Sequence, residues 1–272
     1  MQTADTQWTA LILAGQRPGI DPLAAHFGVT HKALVKVAGE PMLTHVVRTL
    51  NGVRSIHQTI VLAQEIDVFT AAIAAGGNAG SLATQSAISS SILAVVSQPD
   101  FHWPVLITTA DHPLLTRAMV EEFLAATSGC DVAVAMVERA TMMAQFPDAK
   151  RTWLRFSDGA WSGANLFALN TPKAMTALEF WASAESDRKK PWRLFVHFGW
   201  GLALRAITRT IGLNAALGRA GVRLGLSVRL VPMHDAVAAI DVDKVIDHSQ
   251  AELILAHRYE QEATLVSRPE SD

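Results

Sequence analysis

Thr9-Ala-Leu-Ile-Leu-Ala14 is a six-residue apolar run that ends against Gly15. The run has the length of a strand rather than of a helix. An unbroken apolar stretch is what a parallel strand needs when both faces of its sheet are covered. The loop that follows, Gly15-Gln-Arg-Pro-Gly-Ile-Asp-Pro22, holds two glycines and two prolines, so its backbone is constrained. A buried strand feeding such a loop is the opening of a βα unit.

The pattern repeats downstream. Pro41 to Leu50 has helical spacing (Met42, Val46, Val47, Leu50), and Thr59 to Ala63 is the next strand. Helices are expected over Val68 to Ala75, stopped by Gly76-Gly77, and over Ser86 to Val96. Pro104 to Thr109 is a third strand and runs into Ala110-Asp-His-Pro113; a helix over Met119 to Ala126 and a fourth strand over Asp131 to Val137 follow. Strands alternating with helices imply right-handed crossovers and an α/β fold, a three-layer sandwich around a mainly parallel, mixed sheet. Ligands of such sheets sit beyond the carboxyl ends of the strands, where this reading puts Gly15 and Asp111. Later, Thr152 to Phe156 with Asp158-Gly159 suggests an edge strand and turn, Asn165 to Leu169 a short strand, Ala239 to Asp243 a last strand, and Val245 to about Glu262 a terminal helix.

Composition narrows the function. Half of the 272 residues are hydrophobic and 18% are charged, enough apolar surface for one large packed domain over 1–272. The net charge of −2 speaks against a nucleic-acid partner. A single cysteine, Cys130, excludes a disulfide framework and fits a reducing compartment, and it reads as a small buried hydrophobe. Met1 to Trp8 is polar and no signal peptide is expected, so the cytoplasm is the expected location. Charge is uneven along the chain. Residues 187–230 hold nine basic side chains against one acid, Asp187, which leaves −10 for the rest. This stretch is expected to be a basic, largely helical insertion, and 267–272 a loose tail.

The chemistry is concentrated at three places. After the first strand, Gly15 allows backbone N–H groups to approach phosphate oxygens; Arg17 offers a bidentate fork and Lys32 a point charge. The loop lacks the spacing of a P-loop and of a dinucleotide fingerprint. Asp111, at a strand end, suits either a hard divalent cation or the cap of the next helix. In Ile240-Asp-Val-Asp243, alternation places Asp241 and Asp243 on one side of a strand.

Leu11-Ile-Leu-Ala-Gly15, Arg17, Lys32-Ala-Leu-Val-Lys-Val-Ala-Gly39 and Pro41-Met-Leu43 resemble the opening signature of the MobA-like nucleotidyltransferases. Thr109-Ala-Asp-His-Pro-Leu114 resembles that family's metal-binding Asp-x-Pro segment, and the family's late acidic motif maps best onto Asp243. Asp247 then corresponds to the acid that opens the terminal helix, a cap rather than a ligand. The resemblance implies a glycosyltransferase-A type fold and transfer of NMP from an NTP, CTP or GTP, to a phosphorylated small-molecule acceptor. It implies that Leu13, Ala14, Gly15, Gln16, Arg17 and Lys32 hold the nucleotide, with Arg17, Lys32 and Asp111 catalytic. It also implies that Asp111 and Asp243 bind Mg²⁺, for which Mn²⁺ can substitute.

Gln16 stands where the family has a second glycine, and Asp21-Pro22 and His26 lengthen the loop. Ser86 and Ser89 correspond to a base-contacting region, or cap a helix. Asn165, in Ser162-Gly-Ala-Asn165, corresponds to an acceptor-side residue, or satisfies a turn. Arg188 and Lys190 could bind the anionic acceptor. With Trp192, Phe195, Phe198 and Trp200 among them, the basic residues could equally touch an anionic membrane or form a solvated helix face. Two other functions share the pattern: a glycosyltransferase with Asp241-Val-Asp243 as its metal motif, and a non-catalytic nucleotide sensor.

Overall fold

The computed structural model describes residues 6–16, 19–84, 88–149, 151–186 and 199–266. Its centre is an eight-stranded sheet with the path β10-β7-β9-β6-β1-β4-β5, and β8 pairs on β9. The parallel strands are β1 (Trp8–Leu13), β4 (Ile56–Ala63), β5 (Gly80–Ala83) and β6 (Val105–Thr109), with β7 (Val132–Glu138) and β10 (Val228–Pro232) parallel to each other. Between the two groups runs β9 (Gly159–Leu169), antiparallel to both β6 and β7, and β8 (Leu154–Phe156) forms a hairpin with it. The four expected strands are all present, within one to three residues of their predicted ends. The segment expected to be short around Asn165 is the longest strand of the sheet. The edge strand β10 covers the last residues of the stretch expected to be helical.

Period-two alternation sorts the strand side chains to two faces. Ala10, Ile12, Val61, Leu106, Ala133, Ala135, Leu166 and Ala168 meet α2 (Met42–Asn51), α5 (Arg117–Ala125) and α10 (Val245–Val266) in one core. Leu11, Leu62, Val105, Ile107, Val132 and Leu169 meet α4 (Ile88–Val96) and α7 (Met175–Ser186) in the other. The three-layer α/β sandwich follows. Two helices of the basic stretch are described, α8 (Trp200–Ile207) and α9 (Leu213–Arg223). Leu213 and Leu217 of α9 pack on Met136, Trp161 and Leu230, closing the second face over β7 and β10. No helix among the described residues is long and apolar enough to cross a membrane.

The remaining short helices are α1 (Pro22–His26), α3 (Thr70–Gly76) and α6 (Arg139–Gln145). The first was read only as loop. It forms because Asp21 accepts from the Leu23 and Ala24 N–H groups (2.9 and 3.1 Å) and Pro22 occupies the first turn. Cys130 is buried as expected. Burial pushes its thiol pKa up, and its Sγ donates to the Thr127 carbonyl.

Asp131 ties three segments together where β7 begins. Its carboxylate accepts from Ser227 N and Oγ (2.9 and 2.7 Å), just before β10, and from Thr171 Oγ1 (2.7 Å) before α7. These donors hold its pKa down to about 2. A carboxylate depressed in this way stabilises the fold above its unfolded pKa, and that contribution is lost as pH falls through the folded one. Asp131→Asn should therefore flatten the fall in stability between about pH 4 and pH 2. At neutral pH it should cost about 1 kcal/mol, discounted for solvent exposure, or roughly 2–4 °C in Tm. Thermal melts of both proteins across that range check this; identical pH slopes would contradict it.

Candidate active site

The sheet ends its two central parallel strands side by side, Leu13 of β1 opposite Thr109 of β6. Ala110 N–H donates to the Leu13 carbonyl (3.0 Å), and Ala14 N–H to the Leu62 carbonyl (2.9 Å), so both chains leave the sheet in register. Leu13 and Ala14 thus use these backbone groups within the sheet. Gly15 comes next. A Cβ there would approach within 3.0 Å of Gln64 Oε1, the same oxygen that accepts from Gln16 N–H (3.0 Å). A side chain at this position would crowd the Gln64 amide that braces the loop just after β4. The Gln16 side chain in turn donates to the Gly19 carbonyl. Arg17 lies outside the described residues, as does Ser86; Ser89 is fully buried on the first turn of α4.

Lys32 opens a one-turn 3₁₀ helix, Lys32–Leu34, anchored by buried Ala33 and Val35. A hairpin of β2 (Lys36–Val37) and β3 (Glu40–Pro41) follows, its turn at Ala38 and Gly39 having φ of 50° and 82°. Gly39 accepts that conformation freely, whereas Ala38 is strained by it. The Ala38 N–H is held by Glu252 Oε1 (3.0 Å), and His248 Nε2 contacts the Lys36 carbonyl (2.7 Å). Both partners belong to α10. The terminal helix therefore grips the hairpin just after Lys32, and the residues leading into that helix include Asp243. Asp247 caps it by accepting from Asp243 N (3.2 Å) and Lys244 N (2.9 Å), as its place in the first turn predicts.

These supports bring three carboxylates together. Asp111, Asp241 and Asp243 each offer an oxygen within 4.8 Å of the others. Lys32 Nζ lies 2.5 Å from Asp111 Oδ2 and pairs also with Asp243 Oδ1. Burial alone would lower the Lys32 pKa, but the charge of Asp111 and hydrogen bonds to Asp111 and Asp243 outweigh it and raise it above its ordinary value. Arg151 Nη2 holds Asp241 Oδ1 at 2.5 Å. Three carboxylates against two cations leave one net negative charge. Asp111 is not the cap of α5; Thr116 is, accepting from Met119 N (3.2 Å). The Asp111 carboxylate accepts instead from Thr109 Oγ1 (2.5 Å). Behind it His112 is fully buried, and burial pushes its pKa down against the pull of Asp111 and Asp241, so the ring is neutral.

Two expectations change here. The segment expected to be a strand over Ala239–Asp243 is a 3₁₀ turn, Ala236–Ala239, followed by extended Ile240 and residues outside the sheet. The Asp235 side chain caps that turn through Val237 N–H (2.8 Å), and Val242 N–H bonds the Asp111 carbonyl (2.9 Å), which docks the acidic residues without a strand. Asn165 reaches Asp241 through a bulge. The β7–β9 register shifts between Val134 and Met136, and Asn165 takes φ 51°, a conformation asparagine tolerates. Its Nδ2 lies 3.5 Å from Asp241 Oδ2. Arg151 and Gln64 were not among the sequence-derived site residues, and Asp241 entered only through the metal motif of the glycosyltransferase alternative. Asp241 had a signal, the Asp-x-Asp spacing; Arg151 and Gln64 had none. Arg188 and Lys190 lie outside the described residues, with the aromatic residues up to Phe198.

Comparison with known proteins identifies the family and the fold. The family model for a MobA-like NTP transferase domain matches residues 10–188. A hypothetical transferase structure from Thermus thermophilus is 25% identical, with a TM-score of 0.76, covering 89% of this chain and 99% of its own. A 4-diphosphocytidyl-2C-methyl-D-erythritol synthase from Anaerococcus prevotii (12% identity, TM-score 0.57, 93% and 97% coverage) shares the fold. So does a CMP:2-keto-3-deoxy-manno-octonic acid synthetase complexed with CTP (13%, 0.57, 93% and 99%). No curated protein matches the chain.

Removing the Lys32 charge leaves Asp111 and Asp243 facing each other and Asp241. Lys32→Gln should cost about 1–2 kcal/mol in metal-free buffer, the partial exposure of the cluster keeping the loss below that of a fully buried pair. Millimolar Mg²⁺ should raise the Tm of the variant more than that of the parent. Equal Mg²⁺ responses in thermal melts would contradict the arrangement.

Proposed function

The chain belongs to the MobA-like NTP transferase domain family, and from that premise we propose that it is a Mg²⁺-dependent cytoplasmic nucleotidyltransferase. In this reading NMP passes from CTP or GTP to a phosphorylated small-molecule acceptor, and pyrophosphate leaves. The observation that carries the reading is the convergence of Lys32, Asp111, Asp241 and Asp243 beside the Gly15 loop.

The donor set fits a hard divalent cation: three carboxylates, all oxygen, with Asp243 open to solvent on one side. Asp111 and Asp243 would hold it, with Asp241 adjoining. When bound, such a cation supplies Lewis acidity at the α-phosphate and offsets charge on the departing pyrophosphate. The remaining work falls to the chain. The Gly15 loop, braced by Gln64, presents backbone to the triphosphate. Lys32 keeps a permanent positive charge where phosphate oxygens would gather, and Arg17 stands in the same loop. Asn165 and Arg151 both contact Asp241, and Asn165 is assigned to the acceptor with Arg188 and Lys190. Ser86 is assigned to the base, whereas Ser89, fully buried on α4, is not. An acceptor phosphate is already ionised, so no general base is required.

Pyrophosphate release should appear with one NTP and a phosphorylated acceptor from a panel of sugar, polyol and pterin phosphates, stop with chelator, and return with Mg²⁺ or Mn²⁺. Asp111→Ala should lower kcat by at least about 10²–10³-fold while leaving the far-ultraviolet circular dichroism unchanged. Undiminished turnover in that variant would overturn the assignment. Consumption of a nucleotide sugar without pyrophosphate release would identify a glycosyltransferase instead.

A further inference from the structure

Helix α8 leaves a stripe of large apolar side chains in solvent. Trp200, Leu204 and Ile207 are 66%, 62% and 68% exposed, and they recur at i, i+4 and i+7, one face of a helix. Ala203 is buried and Leu202 and Ala206 are half-buried, so the helix is docked through the side that carries these three, and the stripe is left in solvent. Across the solvent-facing ridge of α8 from the stripe, between α8 and α9, lies a groove of about 640 Å³ lined by Gly201, Leu202, Arg205, Arg219, Val222 and Arg223, among others. Val222 is 76% exposed, and a Cβ at Gly201 or Gly218 would meet nothing within 4 Å, so the groove wall is open as well as basic. Residues 199–230 contain five arginines and neither aspartate nor glutamate.

We propose that this face docks on an anionic phospholipid bilayer, with Trp200, Leu204 and Ile207 entering the interfacial layer and Arg205, Arg219 and Arg223 taking headgroup phosphates. The charge complementarity is one-sided and strong for so small a surface. A second copy of the chain would set three further arginines against Arg205, Arg219 and Arg223 and be repelled. Nucleic acid would satisfy the arginines but leave the aliphatic stripe in water, whereas a bilayer satisfies both. The inference stands apart from nucleotidyl transfer, since none of these residues belongs to the acidic cluster or the Gly15 loop. The expected membrane contact at Arg188 to Arg193 lies outside the described residues, and α8 and α9 carry the proposal without it.

Co-sedimentation of the full chain with vesicles of phosphatidylcholine plus phosphatidylglycerol tests it directly. The protein should bind these vesicles at low salt, release at high salt, and ignore pure phosphatidylcholine. Arg219→Gln with Arg223→Gln should weaken partitioning roughly 25-fold, about fivefold for each charge. Leu204→Gln with Ile207→Gln should weaken it about tenfold or more. Circular dichroism and nucleotidyl transfer should be unchanged in both. Failure to bind the anionic vesicles would overturn the proposal, as would equal binding by the variants. So would binding of polyglutamate or single-stranded DNA in preference to vesicles, which would assign the face to an acidic macromolecule.

Discussion

The Lys32 ammonium sits against Asp111 and Asp243, residues drawn from two distant parts of the chain, and much of the architecture serves to hold these three in place. Like charges at such separations repel, and the carboxylates stay together because cations neutralise them, Lys32 at Asp111 and Asp243 and Arg151 at Asp241. The sheet supplies Asp111 from the end of β6. Helix α10 supplies Asp243 from its approach, and the same helix grips the hairpin after Lys32 through His248 and Glu252. The first and last thirds of the chain are thereby fastened at one point, and that point is the charged cluster.

Under the proposed function this arrangement couples nucleotide and metal. A cation placed among the carboxylates and an ammonium directed at phosphate are alternatives for the same oxygens, so the occupancy of one changes the electrostatic value of the other. The neutral, buried His112 behind Asp111 adds no further positive charge and leaves the balance to Lys32 and Arg151. Gln64 and Asp21 perform a quieter task. They fix the two ends of the lengthened loop, one by bracing Gly15 and Gln16 and the other by starting α1. The extra loop length therefore appears as a capped turn of helix, α1, ahead of the Lys32–Leu34 turn.

What could be read from the sequence is what local pattern encodes. The apolar run before Gly15, the strand before Asp111 and the capping acid Asp247 are each specified by neighbours in sequence, and each stands where expected. What escaped depends on contacts between distant segments. Arg151 meets Asp241 across 90 residues, and Gln64 meets Gln16 across 48. No periodicity marks such pairs. Asp241 and Asp243 were placed together by assuming a strand; they lie together because a 3₁₀ turn and the Val242–Asp111 hydrogen bond dock an irregular segment. The strand β9 was underestimated because Ser162-Gly-Ala-Asn165 reads as a turn, and its bulge with a left-handed Asn165 is the residue of truth in that reading.

The central claim is that Asp111 and Asp243 bind the divalent cation on which nucleotidyl transfer depends. Electron paramagnetic resonance of Mn²⁺ in the presence of CTP or GTP addresses it without requiring the acceptor. The wild-type chain should remove the free-ion signal with saturation at one Mn²⁺ per chain beyond that held by the nucleotide alone, and Asp111→Asn and Asp243→Asn should each weaken that binding by at least about tenfold. Mn²⁺ binding by Asp111→Asn as tight as by the wild type would contradict the account.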